Sequence, residues 1–273
     1  MIEDNLAEAF SVVQSSGFTG TIAAAIVLGS GLASAVDGIS KIATIPFSQL
    51  PGFPQVSTSD HIPELIIGDL NGVTVACLLG RSHYYESGDS RGMELPLELM
   101  AMLGAQHVIL TNSATAVNAD LVPGSLAVIT DHINLNGPNP LIGRGRDGGT
   151  TSMVDAYEPH QVRRCKIAAG VAGVTLREGV YMWFSGPSFE TPAEVRMARA
   201  LGADLIGKST VPETIICRTL GLHVTGISAV TSYSPGFRGA NPSQSETRAV
   251  SRQAAISLRR LLPVFLTAKD KGG

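Results

Sequence analysis

The sequence predicts an α/β fold, and two observations carry that expectation. Apolar runs of strand length alternate with helix-length segments from one end of the chain to the other. Polar clusters also recur just beyond the predicted strands, where open α/β sheets place their ligands. With 273 residues, 44% hydrophobic and 16% charged, the chain suits one large globular unit or two small ones. No internal repeat or low-complexity linker divides it.

The elements follow in order. Residues 22–28 (Ile-Ala-Ala-Ala-Ile-Val-Leu) form a buried apolar strand that stops at Gly29-Ser30-Gly31. Residues 64–70 and 73–79 flank Asn71-Gly72, whose ease with positive φ makes it a strong hairpin signal. Residues 93–103 read as helix, 107–111 as strand and 125–129 as strand. The stretch 134–151 is rich in Gly, Pro and Asn and reads as a long surface loop. Residues 179–184 and 223–230 read as strands. A helix over 192–201 opens on Thr191, with Pro192 at its first position and Glu194 completing a capping box. Thr210 with Glu213, and Ser243 with Glu246, repeat that spacing. All three glutamates read as caps.

Several function classes are excluded. Net charge is −3 and no basic stripe appears, which argues against nucleic acid as a partner. The apolar run 22–28 is too short to cross a membrane. The start, Met1-Ile2-Glu3-Asp4, lacks the basic region of a secretory signal. Cys77, Cys165 and Cys217 are widely spaced and odd in number, so neither a disulfide framework nor a metal site is indicated. The cytoplasm fits best.

One stretch raises a competing possibility. Residues 202–210, "GADLIGKST", match the phosphate-loop pattern G-x-x-x-x-G-K-[ST]. A true phosphate loop follows a strand and wraps phosphates with flexible backbone. Here the four central residues, Ala-Asp-Leu-Ile, themselves look like a short strand, so a nucleoside triphosphate is not the expected ligand.

The polar clusters are Gly29–Gly31, Gly80–Glu86, Thr111–Ala114, Ser185–Glu190, Ser209-Thr210 and Thr231–Tyr233. Their serines, the planar fork of Arg81 and the ring of His83 suit an oxyanion such as phosphate. Glu86, three residues after His83, could orient that ring.

The chain resembles the trimeric class of purine nucleoside phosphorylases over nearly its whole length. The matching strings are "VLGSGL" (27–32), "LLGRSHYYE" (78–86), "TNSA" (111–114), "ITDHINL" (129–135), "NPLIG" (139–143), "DAYEP" (155–159), "SGPSFETPAE" (185–194) and "STVPE" (209–213). The resemblance implies a single three-layer α/β/α domain over 1–273 with a mixed central sheet. It implies reversible phosphorolysis of a purine nucleoside to base and ribose 1-phosphate, with inorganic phosphate as co-substrate and no cofactor or metal. It implies a homotrimer. Ser30, Arg81, His83, Ser209 and the backbone N–H of Ser113 would hold phosphate. Tyr85 would contact the ribose, Phe189 would pack on the base, and Glu190 would bond the base edge. Glu86 would brace His83. A carboxylate at Glu190 accepts from the N1–H of a 6-oxopurine, which favours oxopurines over adenine. His83, Glu190 and Ser232 are the expected catalytic residues.

The chain departs from the family pattern on the sugar and base side. Lys208 stands where the family has Met, Thr115-Ala116 where it has a Gly pair, and Ser232 where an Asn bonds the base. No His matches the reader of the sugar 5′-hydroxyl; Gln244 or Ser245 falls nearest. The neighbouring subunit's aromatic has no counterpart in 148–152. Lys208 could snorkel outward, pair with a carboxylate such as Glu213, or meet a polar or anionic group on an unusual nucleoside.

Overall fold

The computed structural model describes residues 2–55, 63–135, 137–144 and 150–268. Strand β1 (Ala24–Val27) runs through the middle, with all four residues buried. Its side chains alternate between two cores. Ala25 and Val27 pack with α1 (Ile2–Ser15), α3 (Glu94–Met102) and α6 (Val211–Thr219), whereas Ala24 and Ile26 pack with α4 (Pro159–Ala172) and α7 (Gln244–Thr267). Two helical layers therefore sandwich one sheet, as the family resemblance implies.

The other strands are β2 (Ser40–Pro46), β3 (Glu64–Leu70), β4 (Val73–Leu79), β5 (His107–Ala116), β6 (Leu126–Ile133), β7 (Leu176–Trp183), β8 (Leu205–Gly207) and β9 (His223–Tyr233). The short helix α2 (Tyr84–Ser87) follows β4, and α5 (Pro192–Ala200) precedes β8. The order is β2-β3-β4-β1-β5-β8-β7-β6-β9, and β9 also pairs with β5. That extra pairing closes β5, β8, β7, β6 and β9 into a ring, which removes the exposed edge an open sheet would present there. The sheet is mixed: β1 is parallel to β4 and β5, whereas β3 is antiparallel to β2 and β4.

The hairpin is as expected: β3 and β4 keep the predicted limits, and Asn71 (φ 58°) and Gly72 (φ 81°) make the turn. Two strands run longer than their apolar residues suggest. β5 continues through Asn112 and Ser113 to Ala116, and β9 through Thr231 and Ser232 to Tyr233, with Ala116 paired to Tyr233. Backbone ladders do not require apolar side chains, so two polar clusters expected beyond strand ends lie on the last residues of the strands themselves. The loop expected over 134–151 holds no helix or strand among its described residues. Asn136 and residues 145–149 lie outside the described residues, and with them part of the 148–152 stretch.

Candidate active site

A cavity of about 580 Å³ opens at the C-terminal ends of β1, β4, β5 and β8. That volume suits a small molecule of nucleoside size. One end is polar and is built from Ser30, Arg81, His83, Ser113 and Ser209; the other holds Tyr85, Pro187, Phe189, Ile206 and Lys208.

At the polar end, Gly29 lies against β5, where a Cβ would sit 2.9 Å from Asn112 Cα. Its N–H donates to Thr111 Oγ1 (3.0 Å). Gly31 (φ 77°) packs on α7, where a Cβ would lie 2.9 Å from Ser251 Cβ. Ser113 Oγ donates to the Ser30 carbonyl (3.2 Å) and lies 2.7 Å from Ser251 Oγ. Ser30 is thereby fixed between β5 and α7, an arrangement only glycines at 29 and 31 allow.

Arg81 is 2% exposed. Its Nη1 donates to Ser209 Oγ (2.9 Å), and its Nε lies 3.1 Å from Glu213 Oε1, whose side chain is equally buried. Arg81 Nη2 has no hydrogen-bond partner among the described residues. The sequence reading of Glu213 as a cap is overturned. Thr210 has φ 74° and ψ −44° and makes no capping bond with its side chain. Instead Thr210 Oγ1 accepts from Asn112 Nδ2 (2.9 Å). A non-glycine residue at positive φ stores strain, which the surrounding bonds sustain. The caps at Thr191 with Glu194 and at Ser243 with Glu246 do form.

His83 opens α2, and its Nδ1 lies 2.6 Å from Glu86 Oε1. Its ring stacks on Tyr85 at 4.9 Å. Burial, reinforced by Glu86, raises the Tyr85 hydroxyl above its ordinary range, against the opposing charges of Arg248 and Arg81.

The phosphate-loop match fails on geometry. β8 lies inside the motif, and the Ser209 N–H that would face a phosphate donates to Tyr181 Oη (3.3 Å).

At the other end, Lys208 lines the cavity and Glu190 lies behind it. Lys208 Nζ donates to Glu190 Oε1 (3.2 Å), the side chains being 19% and 2% exposed. The ammonium also sits 4.7 Å from the Phe189 ring centre. Lys208 thus pairs with Glu190, because Glu213 already serves Arg81. Gly186 makes room for its stem: a Cβ there would come within 2.7 Å of Lys208 Cδ.

Ser232 is not on the cavity wall. The β5–β9 register skips Thr231, pairing Ala114 with Val230 and Thr115 with Ser232. This bulge re-aims the chain, so Thr231 reaches the cavity while Ser232 Oγ is buried with no partner among the described residues. Thr115, singled out in the sequence as a departure on the sugar and base side, does line the cavity, whereas sequence reasoning missed Thr247, Arg248 and Ser251. Thr247, Arg248 and Ser251 enter from one face of α7, a helical spacing legible only once that helix is known to cross the Gly29–Gly31 turn.

The cavity joins a cluster of serines, Arg81 and His83 to the ring of Phe189, at the C-terminal ends of the strands. The chain belongs to the phosphorylase superfamily, whose family model matches residues 23–267. It is 41% identical over 215 residues to purine nucleoside phosphorylase 1 of Geobacillus stearothermophilus, covering 78% of each chain. It is 35% identical over 244 residues to purine nucleoside phosphorylase 1 of Bacillus subtilis, covering 88% of this chain and 90% of that one. The solved structure of a Schistosoma purine nucleoside phosphorylase in complex with hypoxanthine superposes with a TM-score of 0.88 at 31% identity, covering 96% of both chains.

Proposed function

We propose that this cavity performs the reversible phosphorolysis of an oxopurine nucleoside. Purine nucleoside phosphorolysis is the reaction of the chain: inorganic phosphate attacks C1′ of the ribose, the C1′–N9 bond breaks with its electron pair leaving on the base, and ribose 1-phosphate and free purine result. The observation that carries the assignment is the shared cavity, with the anion cluster at one end and Phe189 at the other.

In this reading phosphate is held by Ser30, Arg81, His83, Ser113 and Ser209. Arg81 Nη2 has no partner among the described residues, on a guanidinium already fixed by Ser209 and Glu213. Glu86 holds the His83 ring. The positive charge that builds on the sugar is met by the phosphate dianion beneath it. Charges preorganised in this way supply much of the rate acceleration in many enzymes. Tyr85 contacts the ribose and Phe189 packs on the base. No cofactor is assigned; phosphate is the co-substrate.

The chain acts as one domain over 1–273 in a cytoplasmic homotrimer, with the cavity near the subunit interface. The family resemblance supports the trimer, and three buried free cysteines fit a reducing compartment. Among the described residues no helix is long and apolar enough to cross a membrane. Release of base from a panel of nucleosides, assayed with and without phosphate, tests the reaction. Turnover that ignores phosphate overturns it. Sedimentation tests the assembly, and a monomer at micromolar concentration overturns that part.

A further inference from the structure

We infer that Lys208, not Glu190, reads the base, and that the favoured substrates are nucleosides of 2,6-dioxopurines, the xanthosine type. The inference rests on the phosphorolysis proposed above and names its substrate class.

A carboxylate facing the cavity would offer acceptors, matching the adjacent N1–H and 2-amino donors of guanine. The geometry here reverses that. Glu190 lies off the cavity wall, its Oε1 accepts from Lys208 Nζ, and its Oε2 is buried. What lies beside the aromatic slot is the ammonium, held over Phe189 at 4.7 Å. Lysine carries donors and no acceptor. The base edge that suits it is therefore rich in carbonyl oxygen. A guanine amino group would place a donor against a cation, and the 6-amino group of adenine would do the same. Xanthine carries carbonyls on both sides of N1–H, so either edge presents an oxygen to Lys208.

The ammonium also suits an ionised base. Xanthosine loses a ring proton readily and spreads the resulting charge onto its carbonyl oxygen, which strengthens a bond donated by Lys208 Nζ.

The test is phosphorolysis of xanthosine, inosine, guanosine and adenosine by the parent, Lys208→Met and Lys208→Gln. The parent should show its highest kcat/KM with xanthosine. Lys208→Met should lower the ratio of xanthosine to guanosine kcat/KM by about tenfold or more, the effect of losing one charged hydrogen bond. Lys208→Gln should retain part of the xanthosine activity, because its amide still donates. A parent that prefers inosine, guanosine or adenosine overturns the inference, as does an equal loss on all four nucleosides. If no nucleoside turned over with phosphate, the proposed reaction would fail instead. Calorimetric binding of xanthine and guanine to the parent and Lys208→Met would then still decide the role of Lys208, with loss of xanthine binding alone supporting it and unchanged binding of both overturning it.

Discussion

Replacing Glu213 by Gln probes the deepest electrostatic element of the site. Arg81 and Glu213 are each 2% exposed and meet at 3.1 Å. The substitution keeps the shape and removes the charge, which leaves a guanidinium buried without its counter-ion. Breaking a buried pair from one side costs about 3–5 kcal/mol. An unfolding entropy of about 2.1 cal/mol/K per residue, taken over 273 residues, converts that loss into a fall in Tm of about 5–9 °C. Calorimetry in phosphate-free buffer measures it. The double variant Arg81→Met, Glu213→Leu removes both charges together and should lose less than the two single losses combined, since residues in direct contact are not additive. A single variant that melts within about 2 °C of the parent, or single losses that simply add, would refute the pair as described.

Two further outcomes are expected. Arg81→Ala and His83→Ala should raise the phosphate KM, lower kcat, or both, and normal phosphate kinetics in both variants would remove the anion site from the polar end of the cavity. His107 supplies a pH dependence of stability. Burial first, then the charges of Arg164, His223 and His160, hold its ring down at about 3, and its Nε2 lies 2.9 Å from Thr225 Oγ1. The unfolded chain takes up that proton below about pH 6.5 and the folded chain does not, so the contribution is complete above that pH. It is lost at about 1.4 kcal/mol per pH unit as pH falls toward 3. Urea melts of His107→Gln between pH 4 and 6 should show a slope shallower by one proton, and an unchanged slope would contradict the assignment.

What the sequence revealed follows from how local each cause is. The β3–β4 hairpin was legible because Asn71-Gly72 dictates it within two residues. The strand inside "GADLIGKST" was legible from Ala203-Asp204-Leu205-Ile206 and from the helix read just before Gly202, which together separated this stretch from a nucleotide loop. The polar ends of β5 and β9 were misplaced because ladder bonds, not side chains, extend those strands. Glu213 was read as a cap because the capping spacing is local, while its partner Arg81 arrives from the end of β4, far away in the sequence. Lys208 was recognised as a departure, but the carboxylate offered for it was Glu213, which pairs with Arg81, and its partner is Glu190. The bulge at Thr231, which takes Ser232 off the cavity wall, has no local signal in the sequence.

The glycine-backed turn at Ser30 has a consequence for affinity. Backbone that becomes ordered only when a ligand arrives sets about 1–2 kcal/mol per residue against binding. Gly29, Ser30 and Gly31 are already immobilised by close packing on Asn112 and Ser251, so for these three residues that entropy, roughly 3–6 kcal/mol in all, is lost when the chain folds. An arriving anion meets a turn with no freedom left to surrender, and its dissociation constant reports the electrostatics of the cluster with little contribution from loop ordering.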